Sequence, residues 1–183
     1  MTAQLLFIQG GGAGAHDEWD SKLVASLAQG LGPGWDIRYP RMPGEGELTY
    51  AAWKPAIDRH IASLDDGAVL VGHSLGAAVL INALAERSPD HRIGALVLIA
   101  APFVGEGGWP GDEFTTPANL GALLPEGVPV HVFHGESDET APPAHAGLYA
   151  RVIPQAQIHR LAGCDHQLGN DLGEAAAVIR SLA

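Results

Sequence analysis

The chain has 183 residues, 46% hydrophobic and 17% charged, enough to bury a core without disulfides or metal; this excludes a disordered protein, a two-domain dehydrogenase and a full-size TIM barrel. Ten Lys and Arg stand against 21 Asp and Glu, a net charge of −11; with no basic run, nucleic acid and anionic membrane surfaces are excluded as partners. The longest apolar run, Ala95–Ala101, is far short of the ~20 residues of a membrane span; with no signal-peptide pattern and a lone Cys164, one cytoplasmic domain over 1–183 is expected.

In chain order, Gln4–Gln9 reads as a buried strand, followed by a run of small residues. Glu18–Leu31 carries Trp19, Leu23, Leu27 and Leu31 at helical spacing, and Gly32 stops it. Trp35–Tyr39 is a short strand. Thr49–Leu64 places Trp53, Ile57, Ile61 and Leu64 on one helix face, with Pro55 marking where the regular helix starts. Ala68–Gly72 is a strand, Leu75–Arg87 a helix rich in Ala and Leu, and Ile93–Ala101 a strand without polar alternation. The irregular segment 104–127 follows, with one helical turn near Asn119–Leu124. Pro129–His134 is a strand, Pro142–Val152 a helix, Gln157–Leu161 the last strand and Leu168–Leu182 the last helix.

Continuous apolar strands alternating with amphipathic helices predict an α/β fold: about six parallel strands between two helical layers. Right-handed crossovers put the C-terminal ends of all strands on one edge, where ligand sites belong.

That edge carries the chemistry. Gly72-His73-Ser74-Leu75-Gly76 is a G-x-S-x-G sequence between a strand and a helix, the context a strained nucleophile turn requires. Serine needs a base. Among nine histidines, His166 stands out because it lies in the loop after the last strand. His60, His91, His131, His145 and His159 fall on helices, strands or a helix–strand turn. The base needs an orienting carboxylate, and Asp138 follows the strand Pro129–His134; Asp165, Asp171 and Glu136 are the rivals. An acyl-transfer site also needs N–H donors for developing negative charge. The backbone N–H of Leu75 is one. Gly11 from the loop Gly10–Gly14 is the second, with Gly12 as the alternative.

The same loop matches G-x-G-x-x-A through Gly10, Gly12 and Ala15, so an NAD(P)-binding oxidoreductase is a competing reading. The next strand lacks the acidic residue that reading requires and ends in Arg38-Tyr39-Pro40. No G-K-[ST] follows the loop, and neither HExxH nor a Cys/His cluster is present, so no metal is expected. His131 and His134 have opposite strand parity and face opposite sides of the sheet.

Four segments, QGGGAGAHDEW, GHSLG, HGESDETAP and GCDHQ, together resemble the α/β-hydrolases. Within these, the chain is similar to the small lidless serine hydrolases of the retinoblastoma-binding-protein-nine and YdeN type. The resemblance implies a three-layer fold with no cap domain and the two N-terminal strands of larger relatives missing. It implies a Ser74–His166–Asp138 triad, no cofactor, and a small ester, thioester or activated amide as substrate. Gln9 departs from the pattern, since many relatives carry His there. His73, Trp109 and Phe114 are expected to line the substrate pocket, the last two from the 104–127 loop over the site; alternatively, the loop aromatics anchor the loop. A catalytically silent binding module on the same fold is the remaining alternative.

Overall fold

The computed structural model describes residues 2–182. Met1 and Ala183, the ends of the expected 1–183 domain, lie outside the described residues. Six strands form one sheet: β1 (Ala3–Ile8), β2 (Trp35–Arg38), β3 (Ala68–His73), β4 (Ile93–Ile99), β5 (Val130–Gly135) and β6 (Gln157–Leu161). Their order is β2-β1-β3-β4-β5-β6, and every pairing is parallel. The helices are α1 (Ser21–Leu31), α2 (Tyr50–Ala62), α3 (Ser74–Glu86), the short α4 (Leu120–Leu123), α5 (Ala144–Val152) and α6 (Gly173–Leu182).

Side-chain alternation explains the three layers. Leu6, Ile8, Leu70, Leu96, Leu98, Val130 and Val132 point to one face, where they meet Trp53 and Ile57 of α2, Val79 and Leu80 of α3, and Tyr149 of α5. Leu5, Phe7, Val69, Val71, Val97 and Phe133 point to the other, against Leu23 and Leu27 of α1 and Ala176 and Ile179 of α6. The inner strands are covered on both faces and carry no polar alternation, whereas the edge strands β2 and β6 keep exposed polar residues such as Asp36 and Arg160. The chain leaves β1 toward β2 and returns to β3 on the opposite side of β1. The C-terminal ends of β1 and β3 therefore flank a topological switch point.

Three local expectations are corrected. Residues Ala15–Asp20 form a wide π-type turn ahead of α1. The extra residue per turn rotates the face, so Trp19 is 52% exposed under the Lys22 ammonium while Asp20 is buried. Helix α2 starts well before Pro55, because Thr49 Oγ1 accepts the Ala52 N–H at 3.3 Å and caps it. The last helix is not continuous from Leu168: Leu168, Gly169 and Asn170 all have positive φ, which ends a short turn before α6 begins. Among the described residues no helix is long and apolar enough to cross a membrane.

Candidate active site

Ser74 occupies the turn from β3 into α3 with φ 51° and is 8% exposed. A left-handed backbone at a non-glycine residue is strained and persists only where its surroundings enforce it. The flanking glycines show what enforces it. A Cβ at Gly72 would stand 2.6 Å from the Ala77 Cα. One at Gly76 would run into the Gln9 carbonyl at the end of β1. The turn is held between its own helix and the neighbouring strand, with no room for side chains at either place.

Asp138 and His166 come from the loops after β5 and β6, which are tied together by backbone. The Glu136 N–H donates to the Leu161 carbonyl at 3.0 Å and the Ser137 N–H to the Cys164 carbonyl at 2.9 Å. Asp138 is buried. Its Oδ1 accepts the Thr140 and Ala141 N–H groups at 2.9 and 2.8 Å, which leaves Oδ2 to face the imidazole. His166 Nδ1 donates to Asp138 Oδ2 at 2.8 Å, and Ser74 Oγ donates to His166 Nε2 at 2.9 Å. The three rival acids are placed elsewhere. Asp165 accepts the Gln167 and Gly169 N–H groups, Asp171 accepts that of Gly173, and Glu136 is exposed. Burial holds the His166 pKa below its ordinary value, and the neighbouring His73 adds to this; the Asp138 carboxylate pulls the other way.

The loop after β1 brings Gly11 beside Leu75: a Cβ at Gly11 would lie 3.3 Å from Leu75 Cδ1 and 3.1 Å from Leu48 Cδ1. Gly12 is placed differently, since its N–H donates to the Glu45 carbonyl at 2.7 Å. Gln9 is buried and braces this loop. Its Nε2 donates to Glu45 Oε2 at 2.6 Å, and its Oε1 accepts the Met42 N–H at 3.0 Å. Arg38, the one residue that suited a phosphorylated cofactor, is engaged by the Ser63 carbonyl and hydroxyl.

The three expected pocket residues each have defined partners. His73 is buried with both ring nitrogens engaged, by Asp20 and by the His166 carbonyl, so it lies beneath the site and does not line it. Phe114 stacks on Tyr50 at 4.6 Å and borders a cavity of about 200 Å³ with Asn82 and Glu86, two turns or more along α3 from Ser74. Trp109 packs edge-on against His145, ring centroids 6.1 Å apart. The 104–127 segment is thus anchored through its aromatics, while its Leu120 and Leu124 enter the core.

Four residues escaped the sequence reading. Asp20 gave no signal because the π-type turn breaks the helical period. Glu45 and Leu48 sit in a segment with no periodicity. His134 Nε2 donates to the Ala141 carbonyl at 2.8 Å and lies 3.3 Å from Asp138 Oδ2; its position four residues before the acid was the available clue.

Residues 5–126 match the sequence profile of the alpha/beta hydrolase family. Solved structures of the same fold include a His-tagged serine hydrolase involved in carbazole degradation, the CarC enzyme (TM-score 0.74, 17% identity, 99% of this chain and 92% of that one). The ydeN gene product of B. subtilis superimposes with a TM-score of 0.72 at 18% identity, covering 99% of this chain and 98% of the other. Esterase PE8 does so with a TM-score of 0.71 at 18% identity, over 100% and 93%. No curated protein sequence matches the chain. The chain belongs to the alpha/beta hydrolase family.

Proposed function

We propose that the protein is a serine hydrolase of small esters, thioesters or activated amides, working through Ser74, His166 and Asp138 as one domain. The observation that carries this reading is the continuous hydrogen-bonded line from Ser74 Oγ to His166 Nε2 (2.9 Å) and from His166 Nδ1 to Asp138 Oδ2 (2.8 Å). In this mechanism the Nδ1–H on His166 leaves Nε2 free to take the Ser74 proton as Oγ attacks the substrate carbonyl carbon. The tetrahedral oxyanion is held by the backbone N–H groups of Leu75 and Gly11. His166 then gives its proton to the departing alcohol, thiol or amine, leaving an acyl group on Ser74. A water activated by His166 releases that acyl group and regenerates the hydroxyl.

Asp138 suits the role of orienter, since its Oδ1 is filled by two backbone N–H groups and only Oδ2 faces the imidazole. The lowered pKa of His166 favours the neutral form that a base requires. The 104–127 segment is anchored through its own aromatics and leucines, which supports an open site suited to small acyl groups.

The test is covalent labelling with a fluorophosphonate probe, combined with hydrolysis of a short aryl ester. One label per chain on Ser74, with turnover abolished in Ser74→Ala, is the expected result. An unlabelled, inactive wild-type protein, or turnover unchanged in Ser74→Ala, overturns the reading.

A further inference from the structure

Beneath the proposed triad lies a second His–Asp pair. Asp20 is 1% exposed and His73 2%. His73 Nδ1 stands 2.9 and 3.0 Å from the two carboxylate oxygens of Asp20. Asp20 Oδ2 also accepts the Gly10 backbone N–H at 2.6 Å. On the other side of the ring, His73 Nε2 is 3.1 Å from the backbone carbonyl oxygen of His166. The pair thus links three segments far apart in sequence: the loop after β1 through Gly10, the serine turn through His73, and the base loop through His166.

The π-type turn makes this link possible. Asp20 is its last residue, and the altered phase directs this carboxylate inward while Trp19 faces solvent. A regular helix continued through this segment would have spent a buried position on the tryptophan. Burying a carboxylate is unfavourable unless it is paired and hydrogen-bonded. Here the gain is positional: the Gly10 N–H and the His73 ring converge on one rigid group.

We infer that Asp20 and His73 are positioning residues of the hydrolytic site, a buried clamp that holds the Gly10–Gly11 loop and the His166 backbone at fixed places around Ser74. The groups facing the two ring nitrogens of His73 are a carboxylate and a backbone carbonyl. The rings of His73 and His166 have centroids 5.0 Å apart, so the clamp also contributes to the field around the base, together with Asp138 and His134. The inference rests on the hydrolase reading for its consequence in catalysis, but the clamp itself can be read without turnover.

The experiment compares Asp20→Asn, His73→Gln and His73→Leu with the wild type, well below their melting temperatures. The expected result for Asp20→Asn and His73→Leu is a fall in kcat of about 10- to 100-fold, as displacement of a reacting group by about 1 Å produces. KM stays within a few-fold, and fluorophosphonate labelling of Ser74 slows in parallel. His73→Gln, which keeps a donor near the Nε2 position, retains more kcat than His73→Leu. The Asp20→Asn/His73→Gln double variant is no slower than the slower single, because both break the same link. Wild-type kcat in the folded variants overturns the inference, and so do losses that multiply.

A separate readout distinguishes this outcome from failure of the hydrolase reading. In Ser74→Ala protein, nitrogen-15 NMR is expected to show a shift of the His166 ring signals on introducing Asp20→Asn. Unmoved His166 signals overturn the clamp whether or not the wild type is active. Should Asp20→Asn fail to fold, His73→Gln carries the same comparison.

Discussion

Gly76 lies against the carbonyl of Gln9 so closely that no Cβ fits between them. The second glycine of the serine turn is therefore a contact between the end of β1 and the start of α3, and it brings the loop after β1 beside the proposed nucleophile. Because the obstacle is backbone, no side chain can move aside. Gly76→Ala is expected to destabilise the protein by about 3 kcal/mol or more, at the upper end of overpacking effects, as read by denaturant unfolding. A change within experimental error would show that the strand end yields.

Ser74 has φ 51°, so part of the folding free energy opposes this conformation. Ser74→Gly removes the Cβ that makes the left-handed region unfavourable. It is expected to be more stable than Ser74→Ala by about 1 kcal/mol, measured by thermal or denaturant melts of the two inactive variants side by side. Equal stabilities would mean that the turn is not strained.

The acid limb of kcat/KM against pH should report His166. Burial and the nearby His73 hold its pKa below the ordinary value of 6.5, against the pull of Asp138. The base is active when neutral, so activity is expected to rise with pH and level off at a midpoint below 6.5. A midpoint above 6.5 would indicate that the Asp138 carboxylate outweighs burial.

Stability should respond in the same pH region. His60, His131, His145, His159 and His166 all have folded pKa values lowered chiefly by burial. Between these values and the ordinary 6.5, the unfolded chain binds protons that the native chain does not, so stability rises with pH and is lost as pH falls through this window. Asp20, whose pKa is lowered because its His73 and Gly10 partners outweigh burial, adds a further loss below its ordinary 3.8. The melting temperature is expected to drop by several degrees from neutral pH to just above the carboxylate range. A flat profile would mean that these histidines are as solvated in the native state as in the unfolded chain.

Acyl-chain preference tests the openness of the site. Phe114 is stacked on Tyr50 beside Asn82 and Glu86, away from Ser74 along α3, so it is not placed to wall a long acyl tunnel. Short-chain aryl esters are expected to turn over faster than a dodecanoyl ester in a kcat/KM series. The reverse order would require a groove that opens on binding.

The amino-acid sequence by itself determined the strand and helix order, the Gly72–Gly76 turn and the candidates Ser74, Asp138 and His166. Each rests on a local signal: apolar runs, helical spacing, turn glycines, or position just after a strand. Parallel topology then carried these residues to one edge. Tertiary structure alone decided what depends on distance through space. It committed the Gly12 N–H to Glu45 and left Gly11 beside Leu75. It also sent Phe114 toward Tyr50 and joined His73 to Asp20 beneath the proposed triad. Asp20 makes the reason plain. One extra residue in a helical turn reverses which neighbour faces inward, and the partners that stabilise the buried carboxylate, Gly10 and His73, come from two other segments of the chain.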